Sequence, residues 1–367
     1  MFRPKLFLLI FSVSLVVLSL IFFVINKNTP NSVSNNLTTS FEEKPTPTPT
    51  VSQLQTPPLR KVLNNNYHIF QRFNNCGPAS LSMLLSYHGI NKTQEEIGQD
   101  LRPYQISSGD NDDKSVTLVE LSEKSKEYGL IPYHRPMGNI ELIKLFITYD
   151  IPIVARTWTK PNEDIGHYRV IKGYDDESRE VIQDDSLQGK NLRYSYEDFN
   201  ALWEKFNFEF LVLVSNDKKE IAEQILGVNA DEKTAWENTV VYSENKLAEN
   251  PSDIYSRLNL SVALTNVGNY KQSTEEFEKV ESLLPFRTLW YQIEPIEAYF
   301  ELKNYDRVFE ITNRILNNHN RAFSELYILR GKIYQKQGDL EAARLEFEKA
   351  VFYNVNLKEA QVALASV

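Results

Sequence analysis

The sequence predicts an α+β domain followed by an all-α repeat solenoid, with an apolar helix and a polar tether ahead of both. Three observations carry this. Helical patterns from about Arg60 give way near Ile151 to strand-like alternation. Beyond Ser215 the pattern is helical alone, and small or apolar positions recur at an offset of 35 residues. Leu6 to Ile25 holds no charge and only three serines. Helices first and an antiparallel sheet second make an α+β domain, and a fixed period of helix pairs makes a solenoid.

The apolar stretch comes first. Twenty helical residues at about 1.5 Å each match the roughly 30 Å hydrocarbon core of a bilayer. Arg3 and Lys5 precede it and Lys27 follows, so the expected orientation leaves the N-terminus in the cytoplasm and everything else outside. The run exceeds a signal-peptide core and is not followed by a small-x-small cleavage site, so residues 1–26 are expected to be an uncleaved anchor in the cell membrane. Residues 27–59 are rich in Asn, Ser, Thr and Pro, including Pro45-Thr-Pro-Thr-Pro-Thr50. Such a segment cannot bury enough apolar area to offset chain entropy. It is expected to be a tether reaching roughly 30 Å as a coil and about 100 Å as polyproline II.

The remaining length suits two domains, expected at 60–216 and 217–367. A formal charge of -9 without any Lys/Arg-rich run gives phosphate no basic face, so nucleic acid is not an expected partner. A single cysteine forms no internal disulfide, and five scattered histidines form no metal-ligand cluster, so neither cofactor nor metal is expected.

Within the α+β domain, the stretch from Gly77 to Gly89 reads as a buried helix with Pro78 in its first turn and Leu81, Met83, Leu84 and Leu85 as its apolar stripe. Thr93 with Glu96, and Thr117 with Glu120, are capping boxes that open two further helices, with Ser107 to Lys114 a loop between them. A helix over Ile140–Thr148 follows. Then come strands at Ile151–Thr157, Tyr168–Gly173, Glu180–Gln183 and Phe208–Val214, with a short helix near Tyr196–Phe206.

Cys76 stands at the entry of the first helix. The helix dipole and unpaired N–H groups there favour the thiolate, which is the attacking form of cysteine. Catalysis also needs a base and a group to orient it. Gly166 to Asp176 reads as a strand entering a tight turn, and Arg179 to Asp185 as the strand returning. With the midpoint at Asp176, His167 and Asp185 would lie opposite one another, the placement an imidazole and its orienting carboxylate require. A one-residue shift selects Asp184 instead, and the alternation leaves that choice open. His68, His88 and His134 have no comparable setting and are expected to be structural.

In order, Gln71-x4-Cys76-Gly-Pro-Ala, Ile151-Pro-Ile-Val-Ala-Arg, Gly166-His167-Tyr-Arg-Val-Ile-Lys-Gly173-Tyr-Asp and Gln183-Asp184-Asp185-Ser resemble the papain-like bacteriocin-processing peptidases, cysteine peptidase family thirty-nine. The likeness covers about Arg60 to Ser215 and is nearer to stand-alone relatives than to transporter-fused members. It implies a papain-like fold and hydrolysis of peptide bonds, with Cys76 as nucleophile, His167 as general base and acid, Asp185 as the orienting acid and the Gln71 side chain as donor to the oxyanion. The family's acid is commonly followed by proline, whereas Ser186 follows here, which keeps Asp184 and Asp185 both in view. An inactive scaffold and acyl transfer to an amine are the alternative outcomes of the same fold.

Gly268-Asn-Tyr270, Lys303-Asn-Tyr305 and Gly338-Asp-Leu340 recur at the 35-residue offset, as do Ser273, Val308 and Ala343, and Val280, Ile315 and Ala350. This resembles the tetratricopeptide repeat. Three units fit from about Asp253 to Asn354. The third is the best formed and the second degenerate, since Thr312 replaces the aromatic found at Phe277 and Phe347. A helix over Lys233–Ala248 and the tail from Leu357 are expected caps. The array is expected to present a concave face to a peptide or protein partner or, alternatively, to serve as a packing platform for the α+β domain.

Overall fold

The computed structural model describes residues 53–104, 115–318 and 320–367. The expected anchor, most of the tether and the loop Ser107–Lys114 lie outside the described residues. Among those described, no helix is long and apolar enough to cross a membrane.

Chain order runs β1 (Arg60–Val62), α1 (Cys76–Ser86), α2 (Gln94–Leu101), α3 (Leu118–Lys126), β2 (Ile131–Arg135), α4 (Ile140–Thr148), β3 (Ile153–Trp158), β4 (Gly166–Asp175), β5 (Glu180–Asp185), β6 (Gly189–Ser195), α5 (Tyr196–Trp203), β7 (Phe210–Val214) and α6 (Lys219–Leu226). Both expected capping boxes form. Thr93 and Thr117 each accept the backbone N–H of the glutamate three residues on, and each glutamate accepts the threonine N–H. Three strands escaped the sequence reading: β1, β2 and β6. The helical first half is therefore interrupted, because β1 and β2 join a sheet whose other strands come later.

The sheet is antiparallel in the order β2-β7-β3-β4-β5-β6, with β1 paired to β4. Strand alternation divides its side chains between two cores. On one face Ala155, Ile171, Phe210, Val212 and Val214 pack with Ile143, Phe146 and Ile147 of α4 and with Phe199 and Trp203 of α5. On the other, Val154, Val170, Leu211 and Leu213 pack with Leu81, Met83, Leu84 and Leu85 of α1, Ile97 of α2 and Leu121 of α3. Burial on both faces explains why β7 reads as an unbroken apolar run instead of an alternating one.

The helical region continues with α7 (Glu232–Glu249), α8 (Ile254–Asn266), α9 (Tyr270–Glu278), α10 (Thr288–Tyr291), α11 (Glu294–Glu301), α12 (Tyr305–Leu316), α13 (Ser324–Gln337), α14 (Leu340–Tyr353) and α15 (Lys358–Ala365). The 35-residue motif is the turn inside each helix pair. Gly268, Lys303 and Gly338 hold left-handed backbone at φ 81°, 59° and 85°. Ser273, Val308 and Ala343 are fully buried just after those turns, and Gly331 lies so close to the Phe347 ring that a Cβ would stand 2.3 Å from it. At the middle turn a lysine adopts a conformation its two counterparts give to glycine. A left-handed β-carbon costs about 1–2 kcal/mol, partly offset by the greater entropy a glycine loses on folding. Lys303→Gly is therefore expected to raise stability by about 0.5 kcal/mol or more. An unchanged or lowered thermal midpoint would contradict this.

The helical region docks on the sheet domain. Asn259 of α8 donates to the carbonyl of Glu204, and Asn207 donates to that of Asn259. Asn354 donates to the carbonyl of Leu101, Asn356 to those of Gln99 and Asp100, and the Tyr104 ring meets Phe352 and Tyr353. The repeats thus serve as a packing platform for their own chain.

Candidate active site

Cys76 is the first residue of α1, capped by the buried Asn75. Asn75 is itself held by Arg102, whose Nη1 donates to its Oδ1 at 2.7 Å. Gly77 lets the helix start press against Val116 and Tyr168, where a Cβ would stand 3.3 Å from Val116. The helix that begins with Cys76 is thus wedged against β4 one residue beyond His167.

His167 and Asp185 do meet, though not as the hairpin count places them. The observed register sets Arg169, not His167, opposite Asp185, and sets Val170 opposite Asp184. A bulge between Ile171 and Gly173 adds one residue to β4 and shifts the outer part of the ladder. His167 is therefore diagonal to Asp185, within reach of a long side chain. His167 Nε2 lies 2.8 Å from Asp185 Oδ1. The ring is also in hydrogen-bond contact with the Cys76 thiol, and Nδ1 is the nitrogen left for it.

Strand alternation separates the two acids. Asp184 pairs with Lys172 at 2.8 Å, and Asp185 pairs with His167 and Arg169. Asp185 is fully enclosed and saturated. Its Oδ1 accepts His167 and the N–H groups of Leu187 and Gln188, and its Oδ2 accepts Arg169 Nη1 at 2.5 Å. Arg169 is held in turn by Thr157 Oγ1 and the Thr159 carbonyl, and lies over the Tyr194 ring. Sequence reasoning missed Arg169 and Thr157. The signal was present as two cations spaced along β4 facing two adjacent acids on its hairpin partner.

Gln71 is fastened to the residue after Asp185. Its N–H donates to the Ser186 carbonyl at 2.7 Å, and its Oε1 accepts the Ser186 hydroxyl at 2.8 Å. With the amide oxygen so occupied, Nε2 is the end left to donate. His68, read as structural, lies 3.0 Å through Nε2 from the Asp185 carbonyl. His134 pairs with Glu209 away from this set.

Electrostatics follow from these contacts. Burial alone would lower the His167 pKa, but the hydrogen bonds to Asp185 and Cys76 and their charges outweigh it and push it up to about 9. Burial would raise the Asp185 pKa, but the His167 hydrogen bond, the His167 and Arg169 charges and the Gln188 N–H hold it at about 2. The imidazolium therefore persists at neutral pH beside an ionised carboxylate. For stability, the His167 contribution is complete below its ordinary 6.5 and is lost as pH rises through 9, while that of Asp185 is complete above its ordinary 3.8 and is lost as pH falls through 2. The urea midpoint is expected to decline on both flanks, and His167→Gln to remove the alkaline decline. An alkaline decline that survives in His167→Gln would assign it to other groups.

Cys76 and His167 are only 4% and 3% exposed. The helical region reaches the residue just before His167. Tyr291 of α10 presses on Gly166, whose Cβ would stand 2.9 Å from the Tyr291 ring, and its ring lies edge-on to Trp158 and Phe206.

Residues 47–210 match the Peptidase_C39 like family, and residues 324–351 match the tetratricopeptide repeat. No curated protein matches the chain. Solved structures similar to it include a Bacillus anthracis protein provisionally described as a C39-like peptidase, with 19% identity, 43% of this chain and 98% of that one covered, and a TM-score of 0.37. The peptidase domain of Streptococcus ComA, described as a bi-functional ABC transporter involved in a quorum sensing pathway, shows 16% identity over 42% of this chain and 98% of that one, at 0.33. MamA shows 15% identity over 36% and 77%, at 0.33. The chain carries a C39-like peptidase domain of mixed helix and antiparallel sheet, followed by a helical region with a tetratricopeptide repeat.

Proposed function

We propose that the chain is a cysteine peptidase that hydrolyses peptide bonds through Cys76, His167 and Asp185. The observation that carries this reading is the bridging imidazole, with Nε2 on Asp185 and the ring's other side on the Cys76 thiol. A thiolate beside an imidazolium attacks the scissile carbonyl carbon, and the carbonyl electron pair moves onto oxygen. The Gln71 amide, its oxygen fixed by Ser186, donates to that oxyanion. As the tetrahedral adduct collapses, His167 Nδ1 gives its proton to the departing amine. The acyl-enzyme is then cleaved by a water that the same nitrogen deprotonates. Asp185 keeps the ring oriented and charged, and Arg169 keeps Asp185 in place.

The substrate class is peptide or protein. The Leu6–Ile25 stretch acts as a membrane anchor in this reading, holding the peptidase on the outer side of the membrane, with the repeats open to a protein partner on surfaces not used against the peptidase domain. Hydrolysis of a peptide mixture by membrane fractions holding the full chain, together with adduct formation at Cys76 by an electrophilic peptidase inhibitor, tests it. Absence of both at neutral pH, where a papain-like control reacts, would leave the scaffold reading. A product carrying an added amine would show acyl transfer instead.

A further inference from the structure

Nothing in a peptidase mechanism calls for the helical region to reach the active site, yet one short segment of it does. Between the first and second helix pairs the chain leaves the solenoid as the turn Pro285–Gln292, which contains α10. Four contacts fasten this turn to the strands that carry the base. Arg287 forms an ion pair with Asp164, in the loop between β3 and β4, at 2.7 Å, and its N–H donates to the same carboxylate. Arg156 of β3 donates to the Tyr291 carbonyl. The Tyr291 ring fills the space over Gly166. Trp158 and Phe206 wall the ring in.

Gly166 immediately precedes His167. A peptide poised for attack must bring its carbonyl carbon to about 3–3.5 Å from the Cys76 sulfur and lie extended past the residues flanking the base. The space it would use there is held by Tyr291. Behind the turn there is room to move. A cavity of about 330 Å³ lies between Leu284, Pro285, Leu289 and Trp290 on the turn and Phe277 and Ile315 on the neighbouring repeat helices.

We propose that Pro285–Gln292 is a self-occluding strap over the peptidase site, with Tyr291 as the latch beside Gly166 and His167 and the Arg287–Asp164 pair as its outer fastening. The proposal rests on the peptidase reading for what is covered, and it makes the resting protein a closed enzyme. Substrate gains Cys76 only when the strap swings back toward the solenoid. Activity then depends on the fraction of molecules with the strap open.

Because Cys76 is the only cysteine, alkylation by iodoacetamide reports strap opening without requiring any peptidase activity. With the full chain in detergent micelles, Arg287→Ala, outside the catalytic set, is expected to speed alkylation by about threefold, the scale of an exposed ion pair. Tyr291→Ala is expected to speed it by about tenfold or more, since it deletes a buried aromatic anchor. Tyr291→Phe keeps the ring and should fall between wild type and Tyr291→Ala. Peptide hydrolysis is expected to rise in step. Unchanged or slower alkylation in both Arg287→Ala and Tyr291→Ala, with thermal midpoints near wild type, would overturn the strap. Should Tyr291→Ala fail to fold, Arg287→Ala decides alone. Faster alkylation with no hydrolysis by any variant would retain the strap and remove the peptidase reading. Hydrolysis with alkylation unaffected would do the reverse.

Discussion

Cys76→Ala is expected to abolish peptide-bond hydrolysis, by about 10⁴-fold or more, and His167→Ala to cost nearly as much, because nucleophile and base act as one unit. The double variant should be scarcely worse than either single one. Cys76 is a small buried side chain at a helix start, so its replacement by alanine removes the sulfur while leaving α1 in place. Turnover with matched thermal midpoints is the measurement. A residual rate within tenfold of wild type would move the chemistry elsewhere, and multiplying effects in the double variant would show that the two residues do not cooperate.

The second large effect concerns Arg169. Replacing it with methionine keeps the length and apolar stem but strips Asp185 of its Oδ2 partner inside a site that water does not reach. Breaking a buried pair from one side costs about 3–5 kcal/mol. It also frees the carboxylate that orients the imidazole, and a misplacement of this kind slows chemistry by about 10²-fold. Lys172→Met provides the contrast. It strips the equally buried Asp184 of its cation, leaving the Asn191 N–H as its partner, and should destabilise the fold in urea, yet leave the surviving folded enzyme at nearly full kcat. If both variants lose kcat alike, Asp184 belongs to the catalytic arrangement as well.

Much of this architecture is legible in the chain because local chemistry and tertiary packing agree. The two Thr-x-x-Glu boxes start helices wherever they stand, and the apolar stripe of Ile140–Thr148 is the surface that α4 buries. The 35-residue offset survives a lysine at the middle turn because the left-handed turn and the small residue after it serve one packing requirement. What stayed hidden has identifiable causes. β2 contains Pro132 beside His134 and Arg135, which reads as loop, and it is tolerated because β2 is an edge strand with no second neighbour to satisfy. β6 is the opposite edge and is polar for the same reason. The hairpin register failed by two residues because the turn lies later than a midpoint at Asp176, between Asp175 and Glu180, yet His167 and Asp185 found each other diagonally. The strap left no trace in the pattern, since the role of Tyr291 exists only once a distant strand lies beneath it.

The position of the nucleophile along the chain has a consequence for biogenesis. The thiol is synthesised 91 residues ahead of its imidazole, and the carboxylate follows later still. A growing polypeptide therefore carries the sulfur without its imidazole for about a quarter of its elongation. In the proposed reading the thiol is armed when the β4–β5 hairpin docks against α1, and Tyr291 emerges about a hundred residues after that hairpin. The order of synthesis leaves one interval, between completion of the sheet and arrival of the helical region, in which the site is assembled and uncovered.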